Sequence, residues 1–159
     1  MDDLLMPIPD GLLAAGAANG EWRAIAQVGD LAGGTMRRVT RGDIDLLLAH
    51  TARGLCLTDD RCPHMSAPLS LGSLDDCTVA CPLHQGQFDL ASGGTVRFPT
   101  TGGLDADGGY HPPWAPAGSP PKPEPTDLKA QARAATRIRR MRYYPLRVRD
   151  GMIEARLPG

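Results

Sequence analysis

Two short groups of cysteine and histidine carry the clearest chemical signal in this sequence. Cys62-Pro63-His64 and Cys81-Pro82-Leu83-His84 are separated by sixteen residues. Together they offer two thiolates and two neutral imidazoles, which are ligands suited both to zinc and to iron-sulfur sites. Each short spacing places one Cys and one His at the tip of one loop. The pattern therefore predicts a metal site assembled from two loops.

The combination of one cysteine with one histidine in each loop helps to decide which metal the site would bind. Zinc fingers usually pair Cys with Cys and His with His, whereas each loop here pairs one Cys with one His. Two histidines that replace two cysteines on one iron of a 2Fe-2S cluster define a Rieske centre. A structural zinc module without redox activity stays open as the alternative.

The residues around both groups resemble the cluster loops of Rieske ferredoxins. The first is Cys62-Pro63-His64-Met65-Ser66-Ala67-Pro68-Leu69-Ser70, and the second is Cys81-Pro82-Leu83-His84-Gln85-Gly86-Gln87-Phe88-Asp89. Ser92-Gly93-Gly94 is similar to the turn that closes the second loop. The resemblance implies one 2Fe-2S cluster, with Cys62 and Cys81 on the buried iron and His64 and His84 on the outer iron near the surface.

Four positions in these loops bear on the reduction potential. The resembling high-potential proteins of respiratory complexes carry a second cysteine in each loop and place Ser and Tyr hydroxyls toward the cluster. This sequence has Ala67, Leu83, Gly86 and Phe88 at those positions. Because fewer donors reach the sulfurs, the reduced cluster should be stabilised less. We expect a potential near the low end of the range of about −150 to +300 mV.

The elements that position the loops read as short strands. Trp22, Ala24, Ala26 and Val28 recur at every second position, which predicts a half-buried strand on which they share one face. Glycine-punctuated runs follow, and Asp150-Gly151 is a hairpin signal. The other predicted strands are residues 36–40, 44–48, 55–58, 143–148 and 152–157. These runs predict an all-β, antiparallel sandwich or barrel, to which the resemblance adds a small cluster-binding subdomain at about residues 60–100.

The chain departs from the usual Rieske pattern between about residues 100 and 140. A typical small Rieske ferredoxin passes almost directly from the loop beside the cluster to its last two strands. Here eight of the fifteen prolines fall between Pro99 and Pro125, which predicts extended, partly polyproline-like chain. A short helix capped by Asp127 is predicted after it. His111 and Trp114 could reach the cluster, but a packed surface loop is the favoured interpretation.

Charge is divided unevenly along the chain. The first 127 residues carry eight basic and sixteen acidic side chains, and the rest carry nine basic and two acidic ones. The basic tail could lie on the acidic face of its own domain, dock an acidic redox partner or bind nucleic acid. Few aromatic residues interleave with these cations, so nucleic acid is disfavoured.

The length of the chain indicates one domain. A chain of 159 residues with a net charge of −1 can form a single core, and no apolar run is long enough to span a membrane. Asp2 and Asp3 argue against a basic leader. We expect a soluble, cytoplasmic protein with an extension at residues 1–20 and a Rieske domain at residues 21–159. Cys56 and Cys77 are expected to be buried free thiols.

The resemblance implies a one-electron carrier and not an enzyme in its own right. Its donor would be an NAD(P)H-dependent flavin reductase, and its acceptor the Rieske cluster of a terminal oxygenase, in particular one that hydroxylates aromatic rings. Oxygen activation would need a further two-histidine, one-carboxylate iron site in a second domain. The alternative is a small Rieske subunit of a larger oxidoreductase, such as an assimilatory nitrite reductase.

Overall fold

The computed structural model describes residues 4–64, 66–99, 103–107, 109–111, 115–116, 118–122 and 138–158. These residues form twelve strands, with short 3-10 helices at Ala17–Asn19 and Leu69–Leu71. All pairings between the named strands are antiparallel, and the all-β prediction is confirmed. The strands are β1 Trp22–Gln27, β2 Met36–Arg41, β3 Ile44–Thr51, β4 Gly54–Asp59, β5 Ser73–Asp75, β6 Thr78–Ala80, β7 Gln87–Asp89, β8 Thr95–Arg97, β9 Gly103–Leu104, β10 Tyr110–His111, β11 Leu146–Arg149 and β12 Met152–Arg156.

The sheet β2-β3-β4 lies at the centre of the fold, between two hydrophobic cores. Leu46 and Leu48 of β3 pack into one core, and Leu47 and Ala49 pack into the other. Successive side chains of a strand point to opposite faces, so a strand covered on both sides needs a continuous apolar run. The four residues from Leu46 to Ala49 supply that run and are all fully buried.

A three-stranded sheet of order β1-β12-β11 covers the core that contains Leu46 and Leu48. The last two strands form the predicted hairpin. Its turn residues Asp150 and Gly151 have φ angles of 52° and 77°. Positive φ at both central positions is the type I′ geometry that Asp-Gly favours.

The prediction that Trp22, Ala24, Ala26 and Val28 share one buried face is wrong. Ala24 and Val28 are exposed, whereas Ile25 and Ala26 are both buried. The register of β1 against β12 shifts between Ala24 and Ala26. This irregularity is typical of a β-bulge, which interrupts the two-residue alternation, so neighbouring side chains can turn toward the same core.

The four-stranded sheet β5-β6-β7-β8 forms the smaller subdomain over the other core. Val79 of β6 and Phe88 of β7 are paired on neighbouring strands, and both are buried. The same core contains Cys62 and Cys81. Phe88 is thus a core anchor beneath the second loop, as expected for a buried aromatic side chain.

Residues before β1 pack along the body of the domain. The amide of Met6 donates to the carbonyl of Leu55 at 2.8 Å, and the amide of Ala14 donates to the carbonyl of Tyr143 at 2.8 Å. Met6 and Ala17 are buried, one in each core. The segment therefore helps to close both cores, while the domain boundary after residue 20 stays a prediction.

The connection between β8 and β11 contains a β-hairpin, β9-β10, where extended polyproline-like chain was predicted. The Asp105 carboxylate accepts hydrogen bonds from the amides of Asp107 and Gly109, which close the turn. The imidazole of His111 stacks on Phe98, with ring centroids 3.9 Å apart. It also hydrogen-bonds Asp105 at 2.8 Å. His111 is thus a buried packing residue, in line with the favoured interpretation.

Two predictions for this connection, Trp114 near the cluster and a helix beginning at Asp127, lie outside the described residues. In the part of the chain that the structure describes, no helix is long and apolar enough to cross a membrane.

Candidate metal centre

The first loop follows β4 and is anchored by a buried carboxylate. Asp60 is 1% exposed and accepts hydrogen bonds from Arg38 Nε at 2.7 Å, the Ser70 amide at 2.8 Å and the Ser70 hydroxyl at 2.6 Å. Asp60 precedes the loop and Ser70 follows it. The carboxylate therefore ties together the two ends of the segment that carries Cys62 and His64.

The second loop connects β6 to β7, and its backbone repeats that of the first. The amide of Cys62 donates to the carbonyl of Ala67, and the amide of Cys81 donates to that of Gly86, both at 2.8 Å. In each loop the residue four positions after the cysteine donates back to the cysteine carbonyl. Those two residues, Ser66 and Gln85, have φ angles of 62° and 60°. The two loops are therefore local copies of one turn.

A close backbone approach keeps the two loop regions together. A Cβ atom at Gly72, just after the first loop, would overlap the carbonyl oxygen of Ala80, which directly precedes Cys81. Only glycine fits without a shift of the backbone.

The fold brings the four predicted side chains to one place. The imidazole rings of His64 and His84 lie 5.2 Å apart between centroids in an edge-to-face arrangement. The thiol of Cys62 hydrogen-bonds that of Cys81. Cys62 and Cys81 are 1% and 2% exposed. The thiol pair therefore lies at the core side of the loops.

The surroundings favour the metal-binding protonation state of two of these groups. The hydrogen bond from Cys62 is the main cause that lowers the pKa of the Cys81 thiol to about 6, although burial opposes it. The backbone amides of Leu83 and His84 add to this effect by hydrogen-bonding the sulfur. Burial, and then the neighbouring His84, lower the pKa of His64. A thiolate and a neutral imidazole are the forms that bind metals.

One nitrogen of the predicted ligand set is buried without a hydrogen-bond partner. Among the described residues, Nδ1 of His84 and Nδ1 of His111 are buried and have no hydrogen-bond partner, and only His84 belongs to the predicted ligand set. Such an atom costs free energy unless a ligand satisfies it. In the same part of the chain, no three His, Cys, Asp or Glu side chains converge as ligands of a single ion. Two thiols and two imidazoles in separate pairs fit a two-iron cluster with two side chains on each iron.

The two imidazoles differ in exposure. His84 is half-buried, whereas His64 is only 7% exposed. The placement of the outer iron near the surface stays a prediction, and His84 is the more exposed of its two proposed ligands. Pro82 and Leu83, which precede His84, are exposed, and Leu83 is 53% exposed. Access to the site is therefore from the side of the second loop.

The other two cysteines are not among the predicted ligands. Cys56 and Cys77 are buried and are not in disulfides, as predicted. Burial, and then the nearby Cys77, raise the pKa of Cys56 to about 12. Cys56 therefore stays a neutral thiol at physiological pH.

Sequence reasoning missed one residue at the first loop. The amide of Arg139 donates to the carbonyl of Pro63 at 2.9 Å. Its guanidinium donates to the carbonyl of Cys62 at 3.0 Å and to the hydroxyl of Ser66 at 2.6 Å. Burial, and then the positive charge of Arg61, lower the pKa of Arg139. The basic composition of this segment was visible in the sequence, but the loop that it contacts was not.

Other arginines of the basic tail contact carboxylates of the same chain. Arg140 pairs with Asp107 at 2.9 Å, and Arg142 pairs with Asp59 at 2.6 Å. Asp59 also accepts a hydrogen bond from Tyr144 at 2.5 Å. The tail thus lies partly on the acidic surface of its own domain, which was the first of the three explanations considered.

Comparison with known families gives a match to the Rieske [2Fe-2S] domain over residues 21–106, just over half of the chain. Two curated relatives match over 81 residues each. The ferredoxin CarAc of Metapseudomonas resinovorans is 35% identical, over 50% of this chain and 76% of the relative. The ferredoxin component of the naphthalene 1,2-dioxygenase system of Pseudomonas putida is 33% identical, over 51% and 78%.

A solved structure shares the fold. The ferredoxin of Sphingomonas yanoikuyae B1 is 20% identical, with a TM-score of 0.55 over 87% of this chain and 100% of that one. The similarity extends beyond the residues 21–106 that the family match covers.

Proposed function

Because this chain belongs to the Rieske [2Fe-2S] family, we propose that it is a one-electron carrier whose cluster is held by Cys62, His64, Cys81 and His84. The bound cluster would supply reversible one-electron redox chemistry at the low end of the Rieske range. The proposed domain is residues 21–159. The observation that carries this proposal is the pairing of two equivalent loops, which brings two thiols and two imidazoles together.

The protein groups around the site have distinct roles in this proposal. The buried thiols of Cys62 and Cys81 would hold the inner iron away from water, where thiolate charge is offset by backbone amide donors. The imidazoles would hold the outer iron. Since His84 is the more exposed imidazole, its edge is the proposed route for electrons to enter and leave.

We place the carrier between an NAD(P)H-dependent flavin reductase and a terminal Rieske oxygenase in the cytoplasm. The support comes from the relatives, which are named as ferredoxins and as ferredoxin components of dioxygenase systems. In this arrangement the oxygenase performs the oxidation and this chain delivers single electrons. The aromatic substrate would contact the oxygenase and not this chain.

A redox titration followed by electron paramagnetic resonance of the purified, coloured protein tests the proposal. A reduced-state Rieske signal with a midpoint near about −150 mV is expected. A strongly positive midpoint would contradict a low-potential carrier. Colourless protein that contains zinc and no sulfide would establish the zinc alternative. Co-purification in a fixed complex with a large subunit would favour the oxidoreductase-subunit alternative.

A further inference from the structure

Four arginines surround one groove beside the first loop. The groove has a volume of about 300 Å³ and is lined by Arg61, Arg139, Arg140 and Arg142, with Pro63, Met141 and one carboxylate, that of Asp59, in its wall. Arg61 comes from the first loop itself, whereas the other three come from the segment that returns after the long connection. We call these four residues the arginine groove.

The positive charge of the arginine groove is only partly neutralised by its neighbours. Arg139 donates to backbone carbonyls and to the Ser66 hydroxyl, and Arg61 donates to the same hydroxyl at 3.1 Å, so these contacts are to neutral oxygens. The Arg140–Asp107 pair is solvent-exposed, with 64% and 84% of the two side chains accessible. An exposed pair of this kind is weak and exchangeable. Arg142 contacts Asp59, which is mostly buried.

The groove lies against the first loop, next to one of the two histidines that are proposed to hold the outer iron. Pro63 lies between Cys62 and His64, and the His64 ring is 5.2 Å from that of His84. Leu83, which precedes His84 in the second loop, is 53% exposed. Arginine side chains and exposed apolar side chains are both common in protein interfaces, and here one kind lies at the first loop and the other in the second loop.

We propose that the arginine groove docks an acidic face, rich in Asp and Glu, of the protein that exchanges electrons with this chain. The proposal rests on the proposed carrier function. Planar guanidinium groups bind carboxylates through two parallel hydrogen bonds. The whole chain has a net charge of only −1, so attraction of an anion to this end must come from local charge. Electrostatic steering of this kind acts mainly on the association rate.

Oxidation of the reduced holo-protein by two inorganic probes tests the local charge. Hexacyanoferrate(III) is an anion, and tris(phenanthroline)cobalt(III) is a cation. The matched proteins are wild type, an Arg61→Gln/Arg140→Gln double variant and an Arg53→Gln/Arg149→Gln double variant. Both doubles remove two positive charges, but only the first removes them from the groove. Stopped-flow rates are compared at low ionic strength and at about 0.3 M, where charges are screened within roughly 6 Å.

The groove variant should lose about threefold or more of the rate with the anionic oxidant at low ionic strength and should gain rate with the cationic one. The control variant should follow the wild type with both probes. A change in reduction potential would move both rates in the same direction, so opposite changes identify an electrostatic effect. Equal rates for all three proteins, or equal losses in both double variants, would overturn the proposal.

A competitor separates an extended acidic face from a small anion. A synthetic octaglutamate peptide should slow oxidation of the wild type by hexacyanoferrate(III), and inorganic phosphate at equal ionic strength should not. Equal inhibition by octaglutamate and by phosphate would show that the groove binds only small anions. That result would contradict docking of a protein face. Failure of the carrier function is distinguishable, because the Rieske signal or its reversible reduction would then be missing before any probe is added.

Discussion

The guanidinium of Arg139 donates a 3.0 Å hydrogen bond to the carbonyl oxygen of Cys62, although 77 positions separate the two residues. The amide of the same arginine binds the next carbonyl, that of Pro63, at 2.9 Å. The segment after the long connection is thereby fastened to the backbone of the first cluster loop.

Replacement of Arg139 by Ala should weaken the first loop. A hydrogen bond to a charged group contributes about 1.5–3 kcal/mol to stability. We expect about 1 kcal/mol here because Arg139 is only partly buried and solvent weakens the interaction. The variant should lose its visible absorption faster than wild type in the presence of an iron chelator. Arg140→Ala is the control, since its partner is Asp107 on the surface. Equal bleaching of both variants would show that the contact with Cys62 is not what holds the loop.

The proposed ligand set predicts different outcomes for the four cysteines. Cys62→Ser and Cys81→Ser should yield protein without the Rieske signal. Cys56→Ala and Cys77→Ala should keep the spectrum and the midpoint and should cost about 1–2 kcal/mol of stability, because they remove a buried sulfur from the core. Visible spectra and iron content provide the readout. A normal cluster in either serine variant would show that the ligands are misassigned.

The histidines can be tested by conversion to cysteine. His64→Cys and His84→Cys replace a neutral ligand by an anionic thiolate, which stabilises the oxidised state. Each variant that still binds a cluster should therefore show a changed spectrum and a lower midpoint. Redox titration monitored by paramagnetic resonance measures both. An unchanged spectrum and midpoint would mean that the substituted histidine does not contact the cluster.

Gly86 offers a test of why the potential should be low. A Cβ at this position would lie 3.2 Å from Pro99 Cγ and 3.3 Å from Phe88 Cζ, so any side chain is crowded. Gly86→Ala and Gly86→Ser should both lose about 1–3 kcal/mol of stability through overpacking. Only the serine adds a hydroxyl donor in the cluster loop, and only it should raise the midpoint relative to the alanine control. Identical midpoints would show that this position does not tune the cluster.

Two buried tyrosines predict an alkaline loss of stability. Burial, and then the hydrogen bond to Asp59, raise the pKa of Tyr144. Burial, and then the Cys56 thiolate that forms only at alkaline pH and the charge of Asp89, raise the pKa of Tyr143. Since the folded state favours the neutral phenols, their contribution is complete below the unfolded pKa of about 10 and is lost as the pH rises toward the folded values. For each tyrosine, the free energy of unfolding should fall by up to about 1.4 kcal/mol per pH unit above pH 10.

Thermal unfolding from pH 8 to pH 11 measures this effect. Tyr144→Phe keeps the ring and removes the ionisable hydroxyl, so the melting temperature of this variant should start slightly lower at pH 8 and fall less steeply above pH 10. A slope as steep as that of the wild type would show that Tyr144 is not a source of the alkaline sensitivity.

The sequence by itself determined the parts of this protein that depend on local pattern. The spacing of Cys62, His64, Cys81 and His84 identified the two loops, because ligands at a loop tip need only a few neighbouring residues to set their chemistry. Asp150-Gly151 predicted its hairpin, since positive φ at both turn positions is a property of those two residues. The all-β class followed from glycine-punctuated runs of apolar residues.

The tertiary structure decided what depends on distant contacts. The bulge in β1 turns Ile25 and Ala26 toward the core together, which strict alternation cannot predict because the partner strand β12 lies more than a hundred residues away. The stacking of His111 on Phe98 and the return of Arg139 to the Cys62 carbonyl likewise join segments with no shared sequence signal. Composition showed that the tail is basic, but only folding placed its charge beside the cluster loop, because electrostatic fields depend on distance in space and not along the chain.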